Sequence, residues 1–288
     1  MKELKILAVV IFFTGIVYWG VEPYAHTQLH PHVAPADFGF EDLEKNTKQG
    51  DATRGAEVFM MAGCIGCHGV ESQGIPAPMD DETASASFGV VPPDLSSAGY
   101  LYDSNFLAAV IKNPAVAMKV EHKFNDMRPH PMTNFYGLGG DIDQEIADMV
   151  AYLQSIAPET MEDKEVYVDA CLRCHSMKYD GMTMPSDPDA LTSYMATLPP
   201  DLSMMIRAKG EEYLTTFIND PQKQLEGTSM PRVGLKESTQ KQVINYMESV
   251  GDSKKDERER VGLYIIGFFI ILSIFAYLWK KQVWRDVK

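Results

Sequence analysis

Two long apolar runs lie near the ends of the chain, and the sequence between them is mostly polar. The run at residues 261–279 is uncharged, is long enough to cross a bilayer and shows no amphipathic stripe. It predicts a transmembrane helix. The run at residues 6–20 predicts either a cleaved signal peptide or a retained anchor. The poor cleavage site around Pro23 and the aromatic pair Tyr18 and Trp19, which suit a membrane interface, favour an anchor.

Basic residues lie on the outer side of both runs. They are Lys2, Lys5, Lys280, Lys281, Arg285 and Lys288. Positively charged flanks stay in the cytoplasm, so this pattern predicts that both termini are cytoplasmic. Everything between the runs is then expected on the other side of the membrane, in a bacterial periplasm.

Between the runs the sequence predicts three helices in each of two halves. The predicted helices are residues 53–61, 103–111 and 142–155, then 164–170, 211–218 and 238–250. The two halves are an internal repeat, because Cys64 and Cys171 are 107 residues apart and so are the PPDLS segments that begin at Pro92 and Pro199. In the last helices, residues 151–153 correspond to residues 245–247, only 94 positions later. The first copy therefore holds extra residues before its last helix.

Each copy contains the motif CxxCH. Its residues are Cys64, Cys67 and His68 in the first copy and Cys171, Cys174 and His175 in the second. This spacing is the attachment signature of c-type haem, in which two thiols form thioethers and the histidine binds the iron. A single CxxCH is also compatible with a zinc half-site or a redox pair. Two copies that use every cysteine in the chain favour two covalently bound haem c groups.

The iron of such a haem needs a sixth ligand, and methionine or histidine there largely sets the reduction potential. In the second copy Met230, followed by proline, has the expected position before the last helix. In the first copy an alignment of the residues that follow favours Met132. The alternatives there are Met127, His130 and His122.

The predicted fold is therefore all-α, with two tandem cytochrome c-type haem domains flanked by N- and C-terminal transmembrane helices. The predicted divisions are an anchor or signal at 1–25, a linker at 26–50, haem domains at 51–158 (the first copy) and 159–252 (the second copy), and an anchor with a basic tail at 253–288. The linker contains His26, His30 and His32, which have no accompanying metal-ligand pattern and are interpreted as solvated.

Charge excludes nucleic acid as the main partner, because the formal net charge is -14. The part between the terminal basic groups holds 20 Lys and Arg against 38 Asp and Glu. This excess of acidic residues either keeps the protein soluble or attracts a basic electron-transfer partner.

The second copy resembles cytochrome c1, the haem subunit of the cytochrome bc1 complex (quinol–cytochrome c oxidoreductase). The resemblance covers residues 164–288 and rests on CLRCHSMK at 171–178, PPDLS at 199–203, RAKG at 207–210, Tyr213, Met230 with Pro231, and the C-terminal anchor with its basic tail. CxxCH is common to all c-type cytochromes, so the specificity lies in the combination. The additional haem copy and the N-terminal anchor make the chain similar to a di-haem form of this subunit found in some bacteria.

The resemblance implies a non-catalytic electron-transfer subunit in the bacterial cytoplasmic membrane. Its implied partners are cytochrome b and a Rieske iron–sulfur protein in a dimeric complex, and its acceptor is a soluble cytochrome c or a terminal oxidase. The second copy is expected to accept the electron and the first to relay it. A di-haem peroxidase, a thiosulfate dehydrogenase and a haem subunit of a terminal oxidase are the alternatives. The first needs an open iron position and the second often uses a cysteine ligand, for which no cysteine is left.

Overall fold

The computed structural model describes residues 2–29, 35–124 and 127–285, and within these ranges the protein is helical, with isolated β-bridges and no strand. The predicted all-α fold is confirmed. His30, His32 and Lys288 lie outside the described residues.

The chain begins and ends with exposed apolar helices. The first is α1 (Lys2–Ile16), which continues through a π-helical turn (Val17–Val21) into α2 (Glu22–Leu29). Helix α15 (Lys255–Arg285) closes the chain. Both are long and apolar enough to cross a membrane, and neither buries its apolar segment against the rest of the protein. Lys280 donates to Glu3 over 2.6 Å, so the beginning of α1 lies beside the end of α15.

The described residues of the first copy form six α-helices. They are α3 (Ala52–Met61), α4 (Asp81–Phe88), α5 (Ala98–Leu101), α6 (Ser104–Lys112), α7 (Pro114–Ala117) and α8 (Ile142–Ile156). Helices α3 and α8 cross at Gly55, where an added Cβ would lie 1.9 Å from the carbonyl oxygen of Asp148. Phe59 and Tyr152 pack beside this crossing with ring centroids 5.4 Å apart. The backbones can approach this closely only because residue 55 has no side chain.

The second copy repeats this arrangement. Its helices are α9 (Asp163–Tyr167), α10 (Pro188–Met195), α11 (Met205–Lys209), α12 (Glu211–Asn219), α13 (Pro221–Gln224) and α14 (Glu237–Gly251). Helix α9 continues into a π-helical turn (Val168–Leu172) that leads into the second cysteine motif. It packs on α14, where Tyr167 and Tyr246 have ring centroids 5.0 Å apart. Each copy thus closes by pairing its first helix with its last.

Five of the six predicted helices lie within one residue of the observed bounds at each end. The sixth, predicted at 164–170, differs because the α-helix gives way to the π-helical turn after Tyr167. The prediction did not include α4 and α10, which begin 107 residues apart and contact each other. Both have side-chain caps at the N-terminus, from Asp80 and Asp187, but each is only 8 residues long, and α4 has little apolar periodicity.

The two copies share one hydrophobic core. A single cluster of buried residues includes Leu101 and Phe106 from the first copy and Leu235 and Met247 from the second. Backbone hydrogen bonds also cross between the copies, from Lys236 to the carbonyl of Leu101 for example, over 3.0 Å. The copies therefore form one packed body.

The predicted linker also belongs to this body. Residues 35–48, called the strap, cross from one copy to the other, and Phe40 in the strap is buried against Phe106. The strap binds the second copy through Asn219, which donates to the carbonyl of Asp37 and accepts from its N–H. The charged residues of the strap form ion pairs with both copies, as Asp42 does with Arg232 and Glu44 with Lys112.

Replacing Gly55 by alanine tests the crossing of α3 and α8. The new methyl group meets backbone atoms that cannot turn away, so we expect the variant to lose about 1–3 kcal/mol of unfolding free energy. Glu57→Ala on the exposed side of the same helix is the control and should change stability by less than about 0.5 kcal/mol. Chemical denaturation measures both, and unchanged stability of Gly55→Ala would show that the helices do not cross as described.

Candidate functional site

Each cysteine motif lies directly after the first helix of its copy. In the first copy Gly63 adopts φ 75° and turns the chain into a short 3-10 helix (Cys64–Gly66), and the N–H of His68 donates to the carbonyl of Cys64 over 3.0 Å. In the second copy the N–H of His175 donates to the carbonyl of Cys171 over 2.9 Å. The local turn brings both cysteines and the histidine of each motif together.

The histidines of the two motifs are held in the same way. Nδ1 of His68 lies 2.8 Å from the carbonyl oxygen of Pro93, and Nδ1 of His175 lies 2.8 Å from that of Pro200. A carbonyl only accepts, so Nδ1 carries the proton and Nε2 keeps its lone pair. Burial lowers the pKa of both imidazoles, which favours the neutral form. A neutral imidazole oriented through its second nitrogen is what an iron ligand requires.

The PPDLS segment provides these carbonyls and is itself fixed to the motif. The same three hydrogen bonds occur in both copies at the offset of 107 residues. They run from the N–H groups of Leu95, Glu71 and Ser72 to Gly69 O, Asp94 Oδ2 and Ser96 Oγ, and from those of Leu202, Lys178 and Tyr179 to Ser176 O, Asp201 Oδ2 and Ser203 Oγ. The repeated PPDLS sequence therefore serves to orient the histidine.

The four thiols are partly buried and free. Burial raises the pKa of Cys171 to about 12 and raises the pKa of Cys64 and Cys174. A raised pKa lowers the fraction of thiolate, which is the reactive form in a redox pair. Among the described residues no cluster of three or more His, Cys, Asp or Glu side chains could hold a metal ion. Thioether attachment therefore accounts for the two motifs better than a redox pair does.

The candidates for the sixth ligand of the first copy have different environments. Met132 is half-buried, whereas the side chain of Met127 is 93% exposed and His122 is exposed. His130 has both ring nitrogens occupied, because Nδ1 lies 3.1 Å from the N–H of Met132 and Nε2 lies 3.3 Å from the hydroxyl of Tyr194. These contacts favour Met132 as the ligand, with His130 as a support for its loop.

In the second copy Met230 is half-buried and packs against the hydrophobic core. The loop that carries it is held by Arg232, whose side chain is only 3% exposed. Arg232 forms two hydrogen bonds with Asp42 in the strap, of 2.8 and 2.7 Å, and its N–H donates to the carbonyl of Met118 over 2.9 Å. Sequence reasoning did not find Arg232 or Asp42, because the partners are 190 residues apart.

The family model "Cytochrome c" matches residues 52–157 and again residues 162–251. The chain belongs to the cytochrome c family. Both matches enclose a cysteine motif, a proline carbonyl on its histidine and a closing pair of terminal helices. As cytochrome c domains, they imply covalently bound haem c, and the cysteines and histidines fit that group.

Two individual proteins also match parts of the chain. Cytochrome c1 of Allochromatium vinosum is 42% identical over 45 residues, which are 16% of this chain and 18% of that protein. The chain thus matches under a fifth of the length of this curated relative. A chain of a solved hyperthermophilic respiratory Complex III aligns with 44% of this chain and 75% of its own length, at 22% identity and a TM-score of 0.34.

Replacing Asp42 by asparagine tests the support of the Met230 loop by the strap. The buried guanidinium of Arg232 loses its counter-charge, so we expect a loss of about 1–3 kcal/mol of stability, moderated because Asp42 is itself 44% exposed. Glu41→Gln, an exposed neighbour in the strap, is the control.

The same prediction has a pH dependence. The hydrogen bonds from Arg232 hold the pKa of Asp42 well below its usual range. A depressed pKa contributes stability above the unfolded value of about 4, and the contribution disappears as acid protonates the folded carboxylate. The stability difference between wild type and Asp42→Asn should therefore shrink as the pH falls below about 4. A difference that persists at lower pH would contradict the ion pair as its cause.

Proposed function

We propose that the protein is a membrane-anchored di-haem c-type cytochrome and the electron-transfer subunit of a quinol–cytochrome c oxidoreductase. The observation that carries the proposal is the duplicated histidine–carbonyl hydrogen bond, Nδ1 of His68 on Pro93 and Nδ1 of His175 on Pro200. Because the imidazoles of both copies have the same tautomer and the same hydrogen bond, we propose that each copy binds one haem. Haem c supplies a one-electron Fe(II)/Fe(III) couple when it is bound.

The residues of the chain have separate tasks in this function. Cys64, Cys67, Cys171 and Cys174 would hold the two groups as thioethers. His68 and His175 would bind the iron through Nε2, and Met132 and Met230 would each supply a sulfur ligand. Methionine ligation raises the reduction potential relative to a second histidine. Cys64, Cys171 and Met230 pack against the hydrophobic core, and an apolar shell of this kind limits solvent access and so tunes the potential.

The proposed setting is a bacterial cytoplasmic membrane with both haem domains in the periplasm and both termini in the cytoplasm. The two terminal apolar helices and the Glu3–Lys280 ion pair support this topology, since they bring the two ends of the chain together. The relative named cytochrome c1 supports partnership with cytochrome b and a Rieske protein in a dimeric complex. A soluble cytochrome c or an oxidase is the proposed acceptor.

Purification of the affinity-tagged chain from its native membrane tests the assignment to a complex. We expect a cytochrome b and a Rieske protein to be retained with it, together with quinol-dependent reduction of its haem. A variant without residues 261–279 is the control and should recover less of both partners, because it lacks the second anchor. Recovery with the copper- or haem-containing core of an oxidase in place of these partners would contradict the proposal and support the oxidase alternative.

Exchange of each proposed distal ligand tests the sixth positions. Met132→His should lower the reduction potential of one haem, because a second imidazole stabilises the ferric state, and Met230→His should lower that of the other. Met127→Leu is the matched control and should change neither. Redox titration followed by visible spectroscopy measures both potentials. A fall caused by Met127→Leu and not by Met132→His would assign the first ligand to Met127.

A further inference from the structure

The two haem-binding segments are joined by one buried side chain. The hydroxyl oxygen of Ser186 accepts a hydrogen bond from the N–H of Val91 in the first copy over 3.1 Å. The same hydroxyl donates to the carbonyl of Arg173 over 2.6 Å. Arg173 lies inside the second cysteine motif, so Ser186 connects a segment of the first copy with the haem attachment loop of the second.

On the first-copy side the connection leads directly to an iron ligand. Val91 is followed by Pro92 and Pro93, and the carbonyl of Pro93 accepts from Nδ1 of His68 over 2.8 Å. Proline fixes φ at both intervening positions, so the short segment is stiff. A displacement of the Val91 N–H is therefore transmitted to the carbonyl that orients His68.

On the second-copy side the connection is shorter still. Arg173 is bonded to Cys174, which is followed by His175. The carbonyl that Ser186 binds is therefore only two residues from His175.

The surroundings make these hydrogen bonds strong. Ser186 is 1% exposed, and it lies where α4 and α10 pack together. At the same contact an added Cβ on Gly89 would lie 2.4 Å from Cβ of Tyr194. Since water has little access, a buried donor and acceptor left without partners would carry their full desolvation penalty. Only a hydroxyl accepts and donates at one atom in so small a volume.

We propose that Ser186 is a positioning residue that fixes the two haem-binding segments relative to each other and thereby couples the two haems. The proposal rests on the proposed function, because it assumes that both motifs carry haem. Ser186 holds the Arg173 carbonyl and the Val91 amide at one oxygen, so neither segment can shift without the other. With both haems bound, the packed contact between α4 and α10 would fix the relative position of the two segments that hold them.

The full-length holoprotein in its membrane tests this coupling through Ser186→Ala. The matched control is Ser85→Ala, since Ser85 is equally buried and accepts from the N–H of Asp187 across the same contact, but its hydroxyl is hydrogen-bonded to neither Val91 nor Arg173. We expect Ser186→Ala to shift the reduction potentials and the electron paramagnetic resonance signals of both haems, and Ser85→Ala to shift neither. Unchanged signals in Ser186→Ala, or equal shifts in both variants, would overturn the proposal.

Hydrogen exchange of the wild-type protein gives a second measurement that does not depend on the variants or on haem content. The Val91 amide lies outside any helix, and we expect slow exchange because Ser186 accepts its hydrogen bond. Exchange at the rate of a free amide would refute the connection itself. A haem count of one per chain would instead refute the di-haem function, while protection of Val91 would still support the contact.

Discussion

Both sites depend on the same kind of hydrogen bond, which joins the histidine of the cysteine motif to the carbonyl of a proline in PPDLS. It selects the tautomer, orients the ring and leaves Nε2 available. The carbonyl can do this only if the segment that bears it is stationary, and three further hydrogen bonds in each copy hold that segment on the residues after the motif. Haem attachment fixes only the cysteines, so the protein must supply the remaining orientation through its backbone.

The copies are alike around the proximal histidines and differ on the opposite side. In the first copy His130 joins Met132 to Tyr194, a residue of the second copy. In the second copy Arg232 joins the Met230 loop to Asp42 in the strap and to Met118 of the first copy. Each distal loop is thus held by residues from outside its own copy. Because each copy depends on such contacts from outside it, a copy taken alone would lack the residues that hold its methionine loop.

The sequence predicted what is local and repeated. The cysteine motifs, the PPDLS segments and the terminal helices follow from spacing and periodicity, and Gly55 with Phe59 and Tyr152 indicated the helix crossing that the structure contains. The strap was predicted as a linker because charge and polarity give no sign of a partner 190 residues away. Ser186 was not found for the same reason, since a lone serine carries no periodic or motif signal. Long-range polar contacts need the fold before they can be recognised.

Because the two copies are a repeat, few features of the protein can give the two sites different reduction potentials. The proximal environments are nearly identical, with the same hydrogen-bond length on each histidine, so they give little basis for a difference in potential. Differences must then arise from the distal loops and from charge. The asymmetry between the copies therefore lies in the loops opposite the motif histidines, where His130 holds one loop and Arg232 with Asp42 holds the other.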